Sequence, residues 1–157
     1  GKKHSDTATT YKKIGSVLFR KGEYEAALVE YKKALAIQEA SLGKGHHKTA
    51  ATFGNIGNVL SYKGDYEGTL VEYRKALAIE EASLGKDHTE TATTYKNIGS
   101  VLSEKGSYEA ALVEYRKTLA IQAASLGKEH PDTATTYSNI GSVLYRKALT
   151  TRSLPWR

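Results

Sequence analysis

Gly1, Gly43, Gly85 and Gly127 each open the same stretch of text, so the 157-residue chain repeats itself with a period of 42. Residues 1–42 and 85–126 are identical at 32 of 42 positions. A chain of near copies cannot assemble one central core from distant segments. Each copy must form a supersecondary unit that buries its apolar side against its neighbours. The expected organisation is therefore a single array over residues 1–157, with full repeats at 1–42, 43–84 and 85–126 and a partial capping repeat at 127–157. Only 39% of residues are apolar and 25% are charged, which suits a core built copy by copy along the chain. Positions that break the repetition carry most of the individual information.

Within a repeat, Tyr11, Ile14, Gly15 and Leu18 stand at helical spacing, and Tyr24, Ala27, Leu28, Tyr31, Ala34, Leu35 and Ile37 mark a longer helical stripe. Each copy thus predicts a helical hairpin. Its turn falls at Lys21-Gly22-Glu23, Lys63-Gly64-Asp65 and Lys105-Gly106-Ser107, where glycine supplies the left-handed conformation that ends a helix. The second helix runs to Leu42 and stops at Gly43, and the next starts after a Lys-X-His loop, with Asp6, Glu90, Pro131 and Asp132 suiting a first turn. His4, His46, His88 and His130 recur in those loops as packing or capping residues. A repeat apart, they cannot converge on one metal.

Gly15, Gly57, Gly99 and Gly141 lie inside helices, each costing about 1 kcal/mol relative to alanine. Such a recurring cost implies close helix crossing, with Ala27 and Ala34 as the expected facing residues. Thr7, Thr9 and Thr10 are mediocre helix formers, so packing between repeats rather than local propensity must hold the array together. In the fourth copy Ala148 follows Lys147 where Gly22, Gly64 and Gly106 stand upstream. Nothing there stops the helix, which is expected to run from Pro131 to about Arg152, short of Pro155.

The pattern Tyr11-x2-Ile14-Gly15-x2-Leu18, then Tyr24, Ala27-x3-Tyr31 and Ala34, resembles the tetratricopeptide repeat. The 42-residue period and the loop Gly127-Lys128-Glu129-His130-Pro131-Asp132 are similar to the kinesin light chain type. The resemblance implies an all-α fold of seven helices, a right-handed superhelical solenoid of antiparallel hairpins, with first helices lining a concave groove. It further implies a non-catalytic module that binds a peptide segment of a protein partner in that groove, in an intracellular, cytoplasmic setting.

On that geometry the peptide-contacting residues are Lys12, Lys13, Ser16, Arg20, Asn55, Asn58, Tyr62, Lys96, Asn97, Ser100, Asn139 and Arg146. The asparagines offer both donor and acceptor to an extended peptide backbone, and the basic side chains favour an acidic ligand. The net charge of +6 is uneven: +3 in each end segment and neutral in the two middle repeats. It forms no continuous stripe with interleaved aromatics, which disfavours nucleic acid.

No run of apolar residues is long enough to span a membrane, and no basic start leads into an apolar signal. Zero cysteines exclude disulfides and thiol chemistry and fit a reducing compartment. Starting at Gly1 with no methionine anywhere, the chain reads as a segment of a longer protein. No serine, histidine and carboxylate converge, no phosphate loop is present, and neither cofactor nor metal is called for. Two roles remain: a peptide-binding module, or a self-assembling structural solenoid. For the second, Ile140, Leu144 and Ala148 form an apolar line partly deprived of a hairpin partner, available to another copy, to Leu154 and Trp156 folding back, or to a missing part of the parent chain.

Overall fold

The computed structural model describes residues 2–152, which form seven α-helices and no strand. They are α1 (Lys2–Arg20), α2 (Tyr24–Leu42), α3 (His47–Tyr62), α4 (Tyr66–Ser83), α5 (Thr89–Glu104), α6 (Tyr108–Ser125) and α7 (Pro131–Arg152). The chain divides between Lys86 and Asp87 into two compact units. In the first, α1 packs on α2, α2 on α3 and α3 on α4; in the second, α5 packs on α6 and α6 on α7. The expected α7 is present as one uninterrupted helix to Arg152; Leu154, Pro155 and Trp156 lie outside the described residues.

Local chemistry sets each boundary. Gly22, Gly64 and Gly106 adopt φ of 79 to 81° and turn the chain between the helices of each hairpin. His46, His88 and His130 are N-caps, their Nδ1 atoms accepting from the backbone N–H of Lys48, Glu90 and Asp132 at 3.1–3.2 Å. His4 does not share this role. Helix α1 already begins at Lys2, which places His4 and Asp6 inside the helix rather than in a loop and a first turn.

The helix-interior glycines have a different partner from the one expected. Ala27 and Ala34 are fully buried, yet the group lying on each glycine is a tyrosine of the second helix. A Cβ on Gly15, Gly57 or Gly99 would meet the ring of Tyr31, Tyr73 or Tyr115 at 2.9, 2.6 and 3.1 Å. The glycine is a notch for an aromatic ring, and burial of that ring offsets the helix-propensity cost.

Threonines join successive hairpins. Thr49 and Thr133 donate to the carbonyls of Gly43 and Gly127 in the preceding loops. Buried Thr52 and Thr136 donate to Gln38 and Gln122 across the α2–α3 and α6–α7 contacts at 2.6 and 2.7 Å. A residue unhelpful to an isolated helix here supplies hydrogen bonds between the helices of successive hairpins. Apolar burial follows the same seams. Leu28, Tyr31, Ile56 and Val59 fill the first unit, and Leu112, Tyr115 and Val143 the second.

Candidate interaction groove

Helix α1, the end of α2 and the start of α3 enclose a cavity of about 630 Å³. Lys12, Lys13, Ser16 and Arg20 project into it from one face of α1, joined by Gln38, Ser41 and Lys48. No carboxylate lines it, and the four cations form no ion pair among the described residues. Burial, and then the neighbouring Lys48, lower the Lys12 pKa from its ordinary value. Positive charge is therefore concentrated without internal neutralisation, an arrangement that favours an incoming anion.

Lys48 was absent from the sequence-based set, although the repeat carries its signal. Its counterparts in the other copies are Asp6, Glu90 and Asp132, so this one position reverses charge. A lysine in the first turn of α3 opposes the helix dipole, whereas acids there complement it.

Beside this cavity lies a smaller one of about 290 Å³, lined by Ser16, Phe19, Arg20, Tyr31, Asn55 and Asn58. Sharing Ser16 and Arg20, the two bring six expected contact residues together: Lys12, Lys13, Ser16, Arg20, Asn55 and Asn58. Tyr62 sits at the rim, 71% exposed, its ring edge-on to Phe19 at 5.0 Å and 6.4 Å from Tyr24.

The second unit repeats the smaller cavity 84 residues later, with about 190 Å³ among Ser100, Ser103, Glu104, Tyr115, Asn139, Ser142 and Arg146. Its chemistry differs. Arg146 donates to Ser103 Oγ at 3.0 Å and to Glu104 Oε1 at 3.1 Å, and lies over the Tyr108 ring. Glu104 occupies the place of Arg20, Ser103 that of Phe19 and Arg146 that of Tyr62. The cavity in the second unit is neutralised from within, while that in the first is open and basic. Lys96 and Asn97, both half-buried, line neither of the two smaller cavities.

Ser16, Asn58 and Ser100 hold equivalent places, and each binds the tyrosine seated on the adjacent glycine. Ser16 Oγ and Ser100 Oγ lie 3.0 and 2.9 Å from the Tyr31 and Tyr115 hydroxyls, and Tyr73 donates to Asn58 Oδ1 at 2.5 Å. These polar groups serve the hairpin as well as lining the small cavity of their own unit. Of the self-association line, Leu144 and Ala148 are exposed and Ile140 is half-buried.

Hairpins that repeat at a fixed period, each seating a second-helix tyrosine on a first-helix glycine, define an α-helical repeat protein. The chain belongs to the tetratricopeptide repeat family, whose pattern matches residues 6–68, 64–124 and 99–150. Repeats of this family generally mediate protein–protein interaction or scaffolding and are typically non-catalytic. The crystal structure of BtubC (BKLC) from P. vanneervenii is similar with a TM-score of 0.81 at 24% identity, covering 90% of this chain and 56% of that one. A kinesin light chain-like protein of nearly identical TPR-like repeats from Podosopora anserina gives a TM-score of 0.72 at 18% identity, covering 97% and 78%. No curated protein matches the sequence. Among the described residues, no helix is long and apolar enough to cross a membrane.

Proposed function

We propose that the chain is a protein-interaction module that holds an acidic peptide segment of a partner protein against the first helices of residues 2–86. The supporting observation is the set of four cations, Lys12, Lys13, Arg20 and Lys48, around one cavity with no carboxylate in its wall. Lys13 stands where the other copies carry Asn55, Asn97 and Asn139, so the first repeat exchanges a neutral amide for charge. Asn55 remains available in the adjoining cavity to pair with peptide backbone, giving orientation where lysine and arginine give attraction.

Fluorescence anisotropy with a labelled glutamate-rich peptide, and with its glutamine-substituted counterpart, tests the proposal. The acidic peptide is expected to bind with an affinity that falls as salt rises. Equal binding of the two peptides, or binding unchanged in the Lys12→Glu, Lys48→Glu double variant, would overturn it.

A further inference from the structure

We propose that α7 is a self-recognition helix, pairing antiparallel with α7 of a second copy of this chain. In α1, the side covered by α2 includes Ala8, Tyr11, Gly15 and Leu18, all buried or half-buried. Among the described residues, nothing covers the matching side of α7. Tyr137, Leu144, Tyr145 and Leu149 are 46–66% exposed, and Gly141 has open space where its three counterparts each seat a tyrosine ring.

The chain itself restricts the occupant. Upstream hairpins place the covering helix by turning at glycine just after Lys21, Lys63 and Lys105. Helix α7 instead runs past the equivalent Lys147 to Arg152, so that turn is not made. Lys147 nevertheless keeps the ion pair to Glu109 that Lys63 makes with Glu25, holding the opposite side of α7 on its own unit.

The bare side complements itself. Tyr137, Gly141, Tyr145 and Leu149 fall four residues apart, in one row along the helix. With the two-fold axis at the level of Val143, Tyr145 of each copy faces Gly141 of the other, and Leu149 faces Tyr137. Each ring then enters a glycine notch, as Tyr31 does over Gly15 in the hairpin. Arg152 approaches the other copy's acidic Asp132, and the two helix dipoles oppose. Another α7 offers an empty notch, whereas Gly15 of α1 is already filled by Tyr31; end-to-end stacking onto α1 gains no such fit. A 22-residue helix is about 33 Å long, so the contact is at the small end of stable interfaces and its formation depends on concentration.

Sedimentation equilibrium from micromolar to millimolar chain should show the mass rising from 17.1 kDa towards twice that value. Tyr145→Glu should hold it at the monomer with helicity unchanged. With no native cysteine to interfere, Gly141→Cys mixed with Tyr145→Cys should form a disulfide dimer several times faster than either variant alone. A monomer at every concentration, growth beyond the dimer, an unaffected Tyr145→Glu variant, or each cysteine variant pairing best with itself would overturn the proposal.

Discussion

Tyr73 lies against Gly57, close enough that a Cβ on the glycine would reach its ring at 2.6 Å, and its hydroxyl donates to Asn58 one residue further along α3. One side chain thus fixes the spacing of α3 and α4 through a steric notch and a hydrogen bond. The same pairing recurs at Gly15 and Gly99 but not at Gly141, where the space is open.

Alanine should therefore act oppositely at two equivalent positions. Gly141→Ala gains helix propensity without a clash and should stabilise by up to about 1 kcal/mol. Gly57→Ala gains the same propensity but forces the Tyr73 ring away, and should lose roughly 1–2 kcal/mol net. Urea midpoints at low protein concentration compare them. A destabilised Gly141→Ala, or a neutral Gly57→Ala, would contradict the notch.

The 42-residue repeat makes the hairpins, the glycine turns and the long α7 legible because each is written in local sequence, the hairpins and turns three times over. The partner of the glycines was not legible, because a helical stripe identifies small residues as fit for close packing but does not give the direction of a ring. Ala27 and Ala34 are buried as that stripe implies, while Tyr31 reaches across to Gly15. Ser16, Asn58 and Ser100 sit where groove and hairpin meet, and periodicity alone cannot divide such a residue between the two sides. Lys48 was legible as the one charge reversal among Asp6, Glu90 and Asp132, but only when the copies are compared position by position.

Tyr73 also predicts an alkaline weakness. Burial, and then Tyr62, raise its pKa from 10.0 to about 12, so the native state binds this proton more tightly than the unfolded chain does. The resulting stability is complete below pH 10 and is lost as pH rises from about 10 to 12. Tyr73→Phe should cost about 1 kcal/mol at neutral pH through the lost bond to Asn58, and should flatten the alkaline part of the profile. Urea unfolding followed by circular dichroism across this range decides it; identical alkaline slopes in the two proteins would count against a buried hydroxyl.

Lys48→Glu should separate stability from binding. Restoring an acid to the first turn of α3 removes an unfavourable dipole interaction and relieves Lys12, for a gain of about 0.3–1 kcal/mol. The same change takes a cation from the cavity and adds an anion, so affinity for a glutamate-rich peptide should fall about tenfold. Thermal melts and anisotropy on the same sample read both. If stability and affinity rise together, Lys48 is not part of the binding surface.

Asn55 tests the other half of the groove. Asn55→Ala should weaken peptide binding by about 1 kcal/mol, the worth of a backbone hydrogen bond, and leave the urea midpoint nearly unchanged because the side chain is half-exposed at the cavity. Full affinity in Asn55→Ala would remove this amide from the binding surface and leave recognition to the cations around Lys12.

The two small cavities differ at four places, Phe19, Arg20, Asn58 and Tyr62 standing against Ser103, Glu104, Ser142 and Arg146, which makes the open one transferable. In the second unit Arg146 is held by Ser103 and Glu104; in the first, Tyr62 packs on Phe19 and leaves Arg20 without a carboxylate beside it. Ser103→Phe, Glu104→Arg and Arg146→Tyr together would reproduce three of these four first-unit side chains, with Ser142 left where Asn58 stands, on a backbone that already carries Ser100, Tyr115 and Asn139 in matching positions. Loss of the partly exposed Arg146 to Glu104 pair should cost no more than about 1 kcal/mol, and the new aromatic contact should recover a similar amount. The triple variant should bind a second equivalent of acidic peptide, more weakly than the first because no counterpart of Lys48 accompanies it: Asp132 stands there. Isothermal titration should then give a stoichiometry near two rather than one. A variant that folds with unchanged helicity yet still binds a single peptide would show that the larger cavity around Lys12 and Lys48, rather than the small one, determines recognition.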